Sequence, residues 1–224
     1  MALPYRNRQN CQGDAADLFH QHDAGGQRAL IAGIVLAAGA SKRFGTANKL
    51  LVDVNGVSIV RRTVSAFVDA HLDVVLVVVG QDAQRVEQEL AELPVQFVRN
   101  PMFSLGQSRS LVAGIEALSP DVEAAIIGAA DQPFLRAGIV AALARHFSID
   151  RVRLVLPRYA GVRGTPTLFH RDLFAELLQV SGDEGGRAVI KRHECEAIWV
   201  DVPDARSAVD VDTADDLRNL RLEG

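Results

Sequence analysis

From Leu30 onward, short apolar runs alternate with longer amphipathic ones. The segments "LIAGIVLA" (30–37), "DVVLVVVG" (73–80), "VQFVR" (95–99), "AAIIGA" (124–129) and "VRLVLP" (152–157) read as strands. Between them, apolar spacing predicts helices over 58–70, 81–93, 108–118 and 136–147. The strand runs are continuously apolar and rich in β-branched residues, the mark of strands covered on both faces of a mainly parallel sheet. The pattern therefore predicts an α/β, Rossmann-like domain with a mainly parallel central sheet flanked by helices. In such a sheet, ligands sit in the crevice beyond the carboxyl ends of the strands. After Pro157 the rhythm breaks, and "RYAGVRGTPTLFHRDLF" has the Gly and Pro punctuation of an irregular excursion ahead of a helix.

The 224 residues, nearly half of them apolar, suffice for one domain with a substantial core. Met1 to Arg28 is polar and aperiodic and reads as a mobile N-terminal tail, leaving 29–224 as the domain. A formal net charge of −4 supplies no broad basic surface for nucleic acid, so any anion site must be local. No apolar run is long enough for a membrane helix, and the N-terminus has no signal-peptide core. Cys11 and Cys195 have no paired or metal-ligand spacing, which suits a reducing compartment and makes the cytoplasm the expected location. The histidines show no HExxH-type spacing, and no GxSxG elbow occurs.

Candidate chemistry gathers in a few loops. "LAAGASKRFGTANK" follows the first strand, so Gly39 stands where backbone can turn and approach a ligand. Free N–H groups there suit phosphate oxygens, and Arg43 and Lys49 can add charge-assisted hydrogen bonds. The loop is neither a Walker-type P-loop nor a GxGxxG fingerprint, and a plain turn with solvated cations is the bland alternative. "IIGAADQPFL" puts Asp131 at the crevice, either to hold a hard cation against phosphates or to cap the next helix. "AVDVDTADDL" offers Asp210 and Asp212 at alternate positions of a short strand, of which only one is expected to face Asp131; Asp215 and Asp216 suit the first turn of a last helix. In "NPMFSLGQSRSLVAGI", Gly106 and Ser108 enter a helix carrying Ser110, an N-terminus able to bind an anion or a base edge, with Ser108 as simple N-cap the alternative. "GVRGTPTLF" and "GDEGGRAVI" set Arg163 and Arg187 beside glycines, and arginine's planar fork suits phosphates and polar heterocycles.

The stretch "LAAGASKRFGTANKLL" resembles the signature of nucleotidyltransferases that activate small phosphorylated molecules with an NTP, and is most similar to the molybdenum cofactor cytidylyltransferases. The run "NPxxxxGxSxSLxxG", the "DQP"-like motif and the late "DxDT"-like motif follow in the same order, so the resemblance spans Ala32 to about Leu220. It departs from the common form at Thr165, where His is usual, and at Ala214, where Pro is usual. The resemblance implies a single nucleotidyltransferase domain that moves CMP from CTP to the terminal phosphate of molybdopterin and releases pyrophosphate. It further implies that Leu36, Ala37, Ala38, Gly39, Lys49, Gly106, Ser108 and Ser110 bind the nucleotide. Lys49, Arg43 and Asp131 would serve catalysis, Asp131 and Asp212 would hold Mg²⁺, and Arg163, Gly164 and Arg187 would lie on the pterin side. "LAAG" rather than "LAGG" places Ala38 on the CTP side of the CTP/GTP division. A molybdenum hydroxylase or its chaperone is the implied partner. The alternatives are guanylyl or other nucleotidyl transfer to a different phosphorylated acceptor, and a non-catalytic molybdenum cofactor carrier.

Overall fold

The computed structural model describes residues 29–39, 48–150, 152–183, 185–213 and 215–216. The expected tail (1–28), Lys42 and Arg43 within 40–47, and Ala214 lie outside the described residues. The elements in chain order are β1 (Leu30–Ala37), β2 (Asp53–Val54), β3 (Val57–Ser58), α1 (Ile59–Val68), β4 (Val74–Val79), α2 (Ala83–Glu89), β5 (Gln96–Arg99), α3 (Gln107–Glu116), β6 (Val122–Ala129), α4 (Ala137–Asp150), β7 (Leu154–Tyr159), β8 (Val162–Arg163), β9 (Thr167–His170), α5 (Phe174–Leu177), α6 (Arg187–His193) and β10 (Ile198–Val202).

The main sheet runs β10-β7-β9-β6-β1-β4-β5, with β8 paired to β7, while β2 and β3 form a separate hairpin. Strands β5, β4, β1 and β6 are mutually parallel, as are β10 and β7. Alternate residues along the central strands feed opposite faces. Val35, Val77, Val79 and Ile126 pack with Val64, Phe67, Val140 and Phe147 of α1 and α4. Ile34, Val78 and Ile127 pack with Leu111 and Ile115 of α3, Leu177 of α5 and Val189 of α6. Burial on both faces explains why these strands read as unbroken apolar runs. No helix among the described residues is long and apolar enough to cross a membrane.

One expectation is corrected. The "excursion" after Pro157 contains β8 and β9, and β9 is inserted antiparallel between β6 and β7 in the middle of the sheet. A four-residue strand behind Pro166 is too short for periodicity to register, and its identity depends on partners far away in the chain. The insertion makes the sheet mixed without disturbing the parallel centre. From β1 the chain goes outward to β4 and β5, then returns to place β6 on the other flank. That reversal opens a crevice beyond the carboxyl ends of β1 and β6, the position where doubly wound sheets hold ligands.

Candidate active site

A cleft of about 520 Å³ occupies this crevice, a size typical of small-ligand sites. Leu36, Ala38 and Gly39 form one wall at the end of β1, and Ala129 to Asp131 continue from β6. The segment from Phe103 to Gln107, with Ser110, closes the far side, and Lys49, Leu50, Asp183 and Asp212 complete the lining among the described residues. The β1 and β6 exits are tied together by the Ala130 N–H donating to the Leu36 carbonyl at 3.1 Å.

Three distant segments meet at one end of the cleft. Lys49 begins a short 3₁₀ turn, Lys49–Leu51, which is pinned by buried Leu50 and by the Asn48 side chain accepting from the Leu50 N–H at 3.0 Å. From there the Lys49 Nζ donates to Asp131 Oδ2 at 2.7 Å and to Asp212 Oδ1 at 2.7 Å. Burial works to lower the Lys49 pKa, but the charges and hydrogen bonds of Asp131 and Asp212 outweigh it and hold the ammonium above the ordinary lysine value. Asp212 is positioned from two sides. The preceding Val211, fully buried, donates its N–H to the Asp131 carbonyl at 3.0 Å. Downstream, Asp216 accepts from the Asp212 and Thr213 N–H groups at 3.0 and 2.7 Å while its own N–H donates to the Thr213 hydroxyl at 3.1 Å. This reciprocal arrangement is a capping box, and Asp215 and Asp216 are helical as expected.

The late acidic pair differs from its expected form. Val209 to Asp212 is not a strand, and Asp210 is close enough to Asp131 to feel its charge. Asp210 accepts from Gln132 Nε2 at 2.9 Å. Its pKa is pushed up to about 6, first by lost hydration and then by the negative charges of Asp131 and Asp212. Asp210 thus feels the charge of Asp131, while Asp212 shares with Asp131 the hydrogen bonds of the Lys49 ammonium.

Among the described residues no group of three or more His, Cys, Asp or Glu side chains forms a metal centre by itself. Asp131 Oδ1 is nevertheless buried with no hydrogen-bond partner among the described residues. An orphaned anionic oxygen beside a second carboxylate fits a hard cation such as Mg²⁺ whose remaining ligands are phosphate oxygens and water.

The other candidates divide. Gly106 and Ser110 line the cleft at the start of α3, and the Ser110 hydroxyl accepts from Asn100 Nδ2 at 3.1 Å. Gly106 itself is the N-cap, with φ of 111°, a conformation in which other residues are strained. Ser108 is buried with its hydroxyl unpartnered among the described residues and does not cap the helix. Capping comes instead from a loop the sequence reading had placed elsewhere: Asp183 accepts from the Gln107 N–H at 3.2 Å and the Gly182 carbonyl from the Ser108 N–H at 3.1 Å. Asp183 thus enters the cleft, a residue that sequence reasoning missed. Arg163, Gly164 and Arg187 do not line it. Arg163 lies 3.5 Å from Glu194, Gly164 is packed against the Tyr159 ring, and Arg187 begins α6.

The sequence pattern of one protein family, described as the MobA-like NTP transferase domain, matches residues 33–197. Nicotine blue oxidoreductase of Paenarthrobacter nicotinovorans is 27% identical over 202 residues, which cover 85% of this chain and 96% of that protein. Among solved structures, Rv0371c from Mycobacterium tuberculosis H37Rv aligns with a TM-score of 0.75 at 27% identity, covering 88% of this chain and 100% of its own. That protein has also been solved as a complex with manganese. A nucleotidyl transferase from Methanothermobacter thermautotroptrophicus, Mth528, aligns with a TM-score of 0.75 at 24% identity, covering 87% and 97% of the two chains.

Proposed function

The chain belongs to the MobA-like NTP transferases and is a nucleotidyltransferase of that family; from this premise we propose that it transfers CMP from CTP to the terminal phosphate of molybdopterin, with release of pyrophosphate. The observation that carries this reading is the convergence of Lys49, Asp131 and Asp212 at one end of a nucleotide-sized cleft.

Such a transfer needs no protein nucleophile, because the attacking phosphate is already anionic. Its obstacle is repulsion between two polyanions, so catalysis consists of positioning and charge neutralisation. Lys49, kept protonated by its carboxylates, offers a cation to the phosphate oxygens as charge builds on the leaving pyrophosphate. Asp131 and Asp212 would hold Mg²⁺, which when bound neutralises phosphate charge and acts as a Lewis acid. The wall of Leu36, Ala38 and Gly39 with the facing Gly106 and Ser110 leaves the slot for ribose and base. Arg43 is proposed as a further phosphate cation. Ala38 supports cytosine over guanine through the "LAAG" form of its motif. Arg163, Gly164 and Arg187 are proposed to belong to the acceptor side, outside the nucleotide cleft.

A redox reading draws on one observation, the likeness to a protein named an oxidoreductase. It would need a dinucleotide site, and the loop after β1 lacks the GxGxxG pattern that makes one. The test is pyrophosphate release with CTP and with GTP, each offered molybdopterin or a panel of sugar and alcohol phosphates, alongside NAD(P)H consumption. Release with CTP and molybdopterin only is the expected result; release with another pair, or NAD(P)H consumption alone, replaces the proposal. Asp131→Ala is expected to cut turnover by on the order of 10²-fold or more, the scale of losing an electrostatic stabiliser of the transition state. Ordinary turnover by a folded Asp131→Ala enzyme refutes the site assignment.

A further inference from the structure

The Lys49 ammonium stands between the two carboxylates proposed to hold the divalent ion, 2.7 Å from an oxygen of each. These are charge-assisted lengths, and the lysine is the more enclosed partner: its side chain is 13% exposed against 50% for Asp212. The Asp131 oxygen that the lysine leaves alone, Oδ1, is buried without a hydrogen bond among the described residues. An ammonium held by Asp131 Oδ2 and Asp212 Oδ1 and a divalent cation drawn to the same two carboxylates would lie only a few ångströms apart in a partly desolvated site, where their charges repel. The two positive charges therefore compete for the carboxylate pair.

Building on the nucleotidyl-transfer reading, we propose that Lys49 is a tethered occupant of the divalent-cation position, and that Asp131 and Asp212 accept the metal only after the nucleotide's polyphosphate draws the ammonium away. A triphosphate can do this because its oxygens offer more negative charge than the two carboxylates and can satisfy the three N–H donors of the lysine. The ammonium meanwhile compensates two carboxylates that would otherwise repel each other. The consequence is an order of events. Nucleotide, free or already carrying its ion, engages Lys49 first, and the protein's own carboxylates close on the metal second.

The probe is Mn²⁺ alone, followed by the electron paramagnetic resonance signal of the free ion, with circular dichroism confirming that each variant is folded. Wild type and Lys49→Arg, which keeps the charge, are expected to bind Mn²⁺ weakly. Lys49→Met and Lys49→Gln should bind it about tenfold more tightly or better, the scale of removing a unit charge a few ångströms away. Adding Asp131→Asn to Lys49→Met should abolish the gain. The wild type gives a second readout: water-proton relaxation enhancement by Mn²⁺ should appear only once a non-hydrolysable CTP analogue is present. Equal Mn²⁺ affinity in wild type and Lys49→Met, or equal enhancement without nucleotide, overturns the proposal. Either result leaves nucleotidyl transfer standing, since that is judged by pyrophosphate release.

Discussion

Gly80, just past β4, shows how little room the cleft wall has. A Cβ there would lie 2.6 Å from Phe103 Cβ and 2.9 Å from Ala38 Cβ, atoms too close to the backbone to move cheaply, on two residues that line the cleft. Overpacking of this kind costs about 1–3 kcal/mol. Gly80→Ala is therefore expected to weaken CTP binding in a calorimetric titration, by about tenfold for each 1.4 kcal/mol that falls on the wall. Unchanged affinity would mean that the strain escapes elsewhere. The Ala38 methyl lies against Gly80, so it helps hold this wall in place. At the same scale, Asp131 could be picked out in the sequence because a lone acid directly after a buried strand sits at the crevice. Asp183 could not: nothing in "GDEGG" says that it caps a helix beginning 76 residues earlier.

Helix α3 begins at the cleft with its first amides tied to the 182–183 loop. Removing an N-terminal cap costs about 1 kcal/mol, so Asp183→Ala should lower unfolding stability by roughly that amount, while Asp183→Asn should retain most of it. Coincident denaturation curves for Asp183→Ala and wild type would show that the cap contributes nothing. Elements with strong local signals matched their expectation within a few residues: α1 starts at its Ser58 cap, whose hydroxyl accepts from the Arg61 N–H. Helix α2 is shorter than its pattern, Ala83–Glu89 rather than 81–93, because Asp82 enters with φ of 56° and the chain turns again at Leu90 to Leu93. Strands β8, β9 and β10 were not read from the sequence, because short segments acquire strand character from their neighbours in the sheet.

At the scale of the molecule, β9 makes stability sensitive to pH through His170, which ends the strand. Burial lowers the His170 pKa, against the opposing pull of Asp172 and Glu123 and with help from Arg153. Its Nδ1 lies 3.2 Å from the Asp172 N–H, a hydrogen bond it accepts only when that nitrogen is unprotonated. The native state therefore binds fewer protons than the unfolded chain below the ordinary histidine value of about 6.5. Stability from this group is fully present above that pH and is lost as pH falls toward the native value. Urea midpoints measured from pH 8 to 5.5 should fall on acidification, less steeply for His170→Gln; parallel slopes would remove His170 as the cause. The sequence by itself determined the α/β class, the parallel centre and the loops that carry chemistry, because two-faced burial and glycine-punctuated turns are local properties of the chain. Only the tertiary structure decided that β9 splits β6 from β7, that Asp183 reaches α3, and that Lys49 joins Asp131 to Asp212. Each of those is a pairing of distant segments, and a pairing leaves no periodicity in either partner.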